Sequence, residues 1–333
     1  MSEMTMFRCS PWNGVLALAC LLLGGCRGAD VVMYDAVSNE IVWKSIGTES
    51  EWRECFPHLI DSDNQCFHTM QYVEKKKRVT LRTYGLDGAL KSEKSFDSDI
   101  YLGPDAFIVS GGRVYYWKNH FVYNGAVYEV DHKELRWCDP NTGRSEGIAF
   151  PDKGWGDESC SQHFAYCNDG IVVLARHELV DKAYYEGVIK RTVEDGNGLF
   201  RVRYDGTVET LLVEKDESAQ RLKLVNGWSA KYFAAKHASG DLQVYDRDCK
   251  RVCRVNLKDV SLDLSKAWLG RVAVWADDST IVYYNSMESK KAIGKWAIDV
   301  PSGRIRRLGE NDYPGLSKYD TRVRGTLMLK ERF

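Results

Sequence analysis

Trp296-Ala297-Ile298-Asp299-Val300-Pro301-Ser302-Gly303-Arg304-Ile305-Arg306-Arg307-Leu308 reads as one complete β-hairpin. A short apolar strand, Trp296-Ala297-Ile298, leads to a centre that opens on Asp and closes on Gly, and beyond it Ile305 and Leu308 stand among arginines. An Asp at that place accepts a hydrogen bond from the backbone two residues on, and the Gly that follows supplies a positive φ. The same design recurs along the chain. Earlier copies are Val31 to Tyr34 with Glu40 to Trp43, Val79 to Tyr84 with Ala89 onward, Leu135 to Gly143, Phe200 to Gly206, and Leu242 to Tyr245 with Val252 to Val255. Aligned on the turn (35, 85, 139, 205, 246, 299), five of the six carry Asp and one carries Gly, so the position serves the turn rather than a ligand.

Further alternating pairs lie between these hairpins. They are Ala106–Val109 with Arg113–Trp117, Phe164–Tyr166 with Ile171–Leu174, Leu222–Val225 with Trp228–Phe233, and Val272–Trp275 with Ile281–Tyr284. Period-2 alternation in β-branched and aromatic residues marks half-buried strands. Two hairpins in each repeat give four strands, which resembles a β-propeller blade. The first hairpin, at Val31, has no pair before it, whereas Thr321–Lys330 adds a pair after the last. The expectation is an all-β propeller of six four-stranded blades, closed by joining N- and C-terminal strands. An open solenoid or a stacked sandwich is the alternative, but steps of 41 to 66 residues are large for a solenoid.

Composition agrees with a large globular core: 333 residues, 44% hydrophobic, 28% charged and a formal net charge of −1. No basic excess suggests nucleic acid, and none is expected as a partner. With 18 Tyr and 10 Trp against 7 Pro, strands are favoured over helices.

The N-terminus carries the second decisive pattern. An apolar run from Val15 leads into Leu23-Gly24-Gly25-Cys26. It is too short to span a bilayer, which takes about 20 apolar residues, and it fits a signal peptide. The four residues resemble the lipobox of bacterial lipoproteins. That resemblance implies cleavage before Cys26, lipidation of its thiol, and a triacylated anchor firmer than a single chain gives. A plain cleaved signal is the alternative reading, and the start codon is open among Met1, Met4 and Met6. The resemblance divides the chain into a signal peptide (1–25), a lipidated tether (26–30) and one propeller domain (31–333). Arg27 follows the cysteine where an Asp would favour inner-membrane retention, so the resemblance implies the outer membrane, on its periplasmic face or the cell surface.

Of ten cysteines, Cys9 and Cys20 fall in the signal and Cys26 in the tether. In an oxidising compartment the rest read first as disulfides. Neighbours in sequence would pair as Cys55–Cys66, Cys160–Cys167 and Cys249–Cys253, leaving Cys138 over, although spacing does not fix connectivity. No CxxC, HxxxH or HExxH occurs, so neither metal nor cofactor is expected. Asp61-Ser62-Asp63-Asn64 opens like a calcium loop but lacks the Gly and Glu such a loop requires, and it reads as a solvated acidic loop. Cys160 with His163 lacks an orienting third group, and no catalytic residue is assigned.

Insertions mark where function can reside: Glu51–His68, His120–His132 about Asn124-Gly125, Glu178–Asn197 and Ser286–Ile293. The chain resembles, as a class, lipidated or periplasmic propellers. These include scaffolds of the outer-membrane β-barrel assembly machinery and the propeller that partners the Tol system. The tryptophan-docking motif of quinoprotein-like propellers and the Gly-His…Trp-Asp signature of WD repeats are both missing. The expected role is a non-enzymatic binding or scaffolding lipoprotein for a protein or peptide of the cell envelope. The alternative is a propeller hydrolase or lyase acting on a sugar or lactone through the central channel.

Overall fold

The computed structural model describes residues 30–45, 53–55, 60–73, 78–97, 107–123, 128–152, 155–156, 163–177, 181–185, 188–192, 196–215, 222–237, 241–257, 271–285, 295–309, 311–316 and 320–332. The lipobox with Cys26, Cys160 and the Ser286–Ile293 excursion lie outside them. Among the described residues every regular element is a strand.

The first hairpin is β1 (Asp30–Asp35) and β2 (Ile41–Lys44). Blade 2 follows as β3 (Arg53–Cys55), β4 (Cys66–Val73), β5 (Arg78–Gly85) and β6 (Leu90–Asp97). Blade 3 is β7 (Phe107–Ser110), β8 (Arg113–Tyr123), β9 (Tyr128–Cys138) and β10 (Ser145–Gly147). The hairpin expected at His120–His132 is a continuous outward extension of β8 and β9, which run 11 residues each.

Blade 4 holds β11 (Trp155–Gly156), β12 (Phe164–Cys167), β13 (Gly170–His177), β16 (Gly196–Arg203) and β17 (Val208–Lys215). Between β13 and β16 the separate hairpin β14 (Asp181–Tyr185) and β15 (Val188–Thr192) accounts for the longest insertion. Blade 5 is β18 (Lys223–Leu224), β19 (Tyr232–Lys236), β20 (Asp241–Asp246) and β21 (Arg251–Asn256). Blade 6 is β22 (Arg271–Asp277), β23 (Thr280–Asn285), β24 (Trp296–Asp299) and β25 (Arg304–Arg307).

The chain then returns as β26 (Thr321–Arg324) and β27 (Leu327–Arg332), and β27 pairs antiparallel with β1 from Asp30↔Arg332 to Asp35↔Leu327. This gives blade 1 in the order β2-β1-β27-β26. Six antiparallel sheets in a ring, closed by both ends of the chain, form a six-bladed β-propeller.

Alternation decides where each side chain goes. On β8, Val114 and Tyr116 pack against Met70 and Leu81 of blade 2, while Tyr115 and Trp117 pack against Ile171 and Phe200 of blade 4. Comparable apolar wedges fill the contacts of blades 1 with 2, 4 with 5, and 5 with 6. A sixth lies between blade 6 and Tyr313 and Leu316 of the segment returning to blade 1. The core is therefore a ring of interfaces, each built from two blades.

The turn aspartates do what their place in the repeat implies. The Asp35 carboxylate accepts the amides of Val37 and Ser38, Asp139 that of Asn141, Asp205 that of Thr207, and Asp246 those of Asp248 and Lys250, at 2.8–3.0 Å. Where Gly85 replaces Asp, Asp87 accepts the amide of Ala89 at 3.0 Å. Asp299 uses its main-chain carbonyl, which accepts the amide of Gly303 at 2.8 Å.

Candidate functional site

In each blade the turns from first to second strand and from third to fourth leave on one face of the ring. The innermost strands of blades 5 and 6 run parallel, as the Asn226↔Val274 bridge shows. At the centre of that face, contacts join blades that are not neighbours. Arg247, in the last turn of blade 5, makes a two-pronged ion pair with Asp63 of blade 2, at 2.8 Å to each carboxylate oxygen. Those blades stand opposite each other. Tyr166 of blade 4 lies beneath the Arg247 guanidinium, 5.9 Å from its centre.

Beside this bridge, Trp228 of blade 5 donates its indole N–H to the Arg322 carbonyl of blade 1 at 2.6 Å. It packs both on the wedge between blades 1 and 2 and on that between blades 3 and 4. The tryptophan therefore sits across the axis. The sequence placed it in a strand, Trp228–Phe233, but β19 begins only at Tyr232. The reason is Ser229. Its hydroxyl donates to the Asp278 carbonyl at 2.9 Å and accepts the amides of Lys231 and Tyr232 at 3.2 Å, which bends the chain away from the sheet.

The Asp61–Cys66 hairpin of blade 2 approaches the same centre. Asp61 and Cys66 exchange backbone hydrogen bonds of 2.9 and 3.1 Å, with Ser62 to Gln65 as the turn. Both oxygens of Asp61 are used to fold it, one accepting the Asn64 amide at 3.1 Å and the other the Asn64 side-chain amide at 2.8 Å. His68 lies two residues along β4 from Cys66, so the strand's period of 2 puts both side chains on one face. The Cys66 Sγ is 3.7 Å from His68 Nε2, and His68 Nε2 is 3.8 Å from Asp61 Oδ2. His68 Nδ1 meets Thr83 Oγ1 at 3.0 Å.

All three residues are buried, at 7%, 2% and 8% exposure for Asp61, Cys66 and His68. The stretch expected to be a solvated acidic loop is thus divided. Asp63 is exposed and pairs with Arg247, whereas Asp61 points inward. Burial pushes the Cys66 thiol up to about 11, and the nearby Asp61 carboxylate adds to the rise. Burial also works against the ionised form of Asp61, but the contacts with His68 and Asn64 outweigh it and hold that carboxyl below its ordinary value. The Tyr166 phenol is raised by burial and by the negative field of Asp61 and Cys66.

Of the expected disulfide pairs, Cys55–Cys66 and Cys249–Cys253 are not formed among the described residues, and Cys160–Cys167 rests on Cys160, which lies outside them. Cys66, Cys167, Cys249 and Cys253 form no disulfide with one another. The backbone register places Cys55 opposite Met70, four residues along β4 from Cys66. At about 3.3 Å per residue that is roughly 13 Å, well beyond the ~7 Å limit between Cα atoms of a disulfide. Cys249 and Cys253 face opposite sides of blade 5, one packing toward blade 4 and the other toward blade 6. Cys138 is buried between blades 2 and 3. His163 is buried at the start of β12.

No family model and no curated protein matches this chain. Among solved structures, an apocarotenoid oxygenase mutant from Synechocystis aligns over 92% of this chain and 68% of its own. Its TM-score is 0.43 and the identity 10%. The Dos1 propeller aligns over 78% of this chain and 59% of its own, with a TM-score of 0.34 and 13% identity. These are loose similarities of chain path and carry nothing about chemistry.

Proposed function

We propose that this protein is a lipid-anchored propeller of the bacterial cell envelope, attached to the outer membrane through Cys26, that binds a protein or peptide partner without catalysis. The observation that carries this reading is the outer edge of blade 1. Among the described residues β2 ends its sheet and pairs only with β1. Its Ile41 and Val42 are 42% and 52% exposed, and Val37 in the adjoining turn is 66% exposed. Edge strands are ordinarily guarded with charge or proline against pairing with another chain. β2 is a short edge that carries one guarding charge, Lys44, and its exposed Ile41 and Val42 fit addition of an extended partner segment, with main-chain hydrogen bonds supplying affinity and these side chains filling apolar pockets. Trp228 and the Arg247–Asp63 bridge fill the axis at the turn-bearing face, which favours surface binding over a reaction in an open channel.

The test is capture from crosslinked envelopes with the full-length lipidated protein, a Cys26→Ser form and an Ile41→Lys/Val42→Lys form. A specific partner held by the first and lost from the last supports the reading. Equal capture by the lysine variant removes the edge from it. Depletion of a sugar or lactone from a substrate panel by the soluble form would replace binding with catalysis.

A further inference from the structure

The Asp61, Cys66 and His68 cluster has a geometry that hydrogen bonding among its members does not explain. The His68–Asp61 separation of 3.8 Å is too long for an N–H···O bond, and the Cys66–His68 contact of 3.7 Å is a weak one. The donor atoms all lie within 4.8 Å of one another. With metal bonds of about 2.3 Å to sulfur and about 2.0–2.1 Å to nitrogen and oxygen, a tetrahedral centre sets its donors about 3.4–3.6 Å apart. The two separations in the protein exceed this by only a few tenths of an ångström.

We propose that Asp61, Cys66 and His68 bind a transition-metal ion of the zinc class at the centre of the turn-bearing face of the propeller. Thiol and imidazole are donors for such ions and not for calcium, which takes oxygen alone, so the ion differs from the one the Asp61-x-Asp63-Asn64 pattern suggests. Thr83 supplies the outer support such sites use. With the proton of His68 on Nδ1 and donated to Thr83 Oγ1, the Nε2 lone pair faces Cys66 and Asp61. Asn64 fixes Asp61 in the same way.

Three protein donors leave a fourth position open to water or to a group from a partner, the arrangement of an exchangeable site rather than a closed structural one. Binding displaces the Cys66 thiol proton to solvent and forms the metal–sulfur bond without a change of oxidation state. An ion here would also clamp the hairpin that presents Asp63 to Arg247. The site departs from the expectation of no metal, because its spacing, Asp61-x4-Cys66-x-His68, matches no motif and becomes legible only through the hairpin pairing.

The experiment is titration of the reduced, metal-free full chain with Co²⁺ followed by competition with Zn²⁺, read by the near-ultraviolet thiolate-to-metal charge-transfer band. The wild type is expected to bind one equivalent and show the band. Cys66→Ser should abolish the band, and His68→Gln should weaken binding at least tenfold. Cys253→Ser and Cys167→Ser, which leave the three donors and their hairpin in place, should bind as the wild type does. Circular dichroism of each metal-free variant separates lost binding from lost fold, and His68→Gln is the deciding variant should Cys66→Ser fail to fold. An absent charge-transfer band in the wild type, or an affinity in folded His68→Gln equal to that of the wild type, overturns the proposal. So does loss of the band in Cys167→Ser with retention in Cys66→Ser.

Discussion

Cys167 and Cys249 lie together in the contact between blades 4 and 5, where each thiol shifts the ionisation of the other. Neighbouring atoms hold them there. The Asn168 amide donates to the Arg247 carbonyl at 2.9 Å, and the Asn168 side chain donates to Asp248 at 2.7 Å. Cys249 occupies this turn with φ of +66°, a conformation in which a side chain is uncommon and glycine is at ease. The Cys249 thiol lowers that of Cys167, burial and Asp169 oppose it, and Arg201 assists. Cys167 is therefore the sulfur that ionises first.

Exposure to a disulfide oxidant is expected to join these two. The Cys167 thiolate attacks the oxidant's disulfide, Cys249 displaces the mixed disulfide, and the oxidant leaves as two thiols. Peptide mapping of protein exported to an oxidising compartment should find the Cys167–Cys249 link. Replacing either by Ser should remove about 2–4 kcal/mol of the oxidised protein's stability. Alkylation of both thiols without prior reduction would refute this.

Asp35 tethers the closing blade, and its stabilisation is expected to fade in acid. Hydrogen bonds from Thr326, and then from the Ser38 and Val37 amides, lower its carboxyl from 3.8 to about 2. Because the folded value lies below the unfolded one, the contribution is complete above the ordinary carboxylate value and is lost as pH falls through about 2. Urea midpoints of wild type and Asp35→Asn should differ at neutral pH and converge between pH 4 and 2. A constant gap across that range would contradict the assignment.

Trp228→Ala should cost about 3 kcal/mol, the lower end for a large aromatic, because the side chain is only partly buried. Trp228→Phe keeps most of the packing and loses the hydrogen bond to Arg322, for about 1 kcal/mol. Thermal denaturation of the two variants, compared at one pH, gives the order.

Gly170→Ala is expected to be among the most damaging small changes, at about 3 kcal/mol. A Cβ there would lie 2.0 Å from the Val202 carbonyl oxygen and 2.9 Å from the Arg203 Cα, both in the backbone of the adjacent strand β16. No side-chain rotation relieves that, so the two strands must part. Hydrogen exchange of β13 and β16 amides should accelerate with the loss. Unchanged protection would mean that the turn absorbs the methyl group.

The blades were legible in the sequence because their signals are local. Apart from the reach of Asp35 to Thr326, the turn aspartates act within four residues of themselves, and alternation along β8 sends Tyr115 and Tyr116 to different interfaces whatever lies beyond. The candidate site was not legible, for the opposite reason. His68 reaches Asp61 only through the register of a hairpin, and Cys167 reaches Cys249 only because blade 5 follows blade 4 around the ring. For Cys55–Cys66 and Cys249–Cys253 pairing by nearness misled, since residues close in sequence are carried apart by strand extension or turned to opposite faces, as Cys249 and Cys253 are. Trp228 was assigned to a strand by its aromatic neighbours, and Ser229 overrode that preference.

The pairing of β1 with β27 also sets a timetable. Val31 and Met33 emerge early in synthesis, yet the strand that covers them spans Leu327–Arg332, so the first hairpin waits for almost the whole chain before its sheet can form. A contact of such long sequence separation is slow to make and leaves apolar surface uncovered in the interval. Interruption near residue 327 would therefore strand a nearly finished ring with its seam open, and a chaperone that shields Val31 and Met33 would act where the delay is longest.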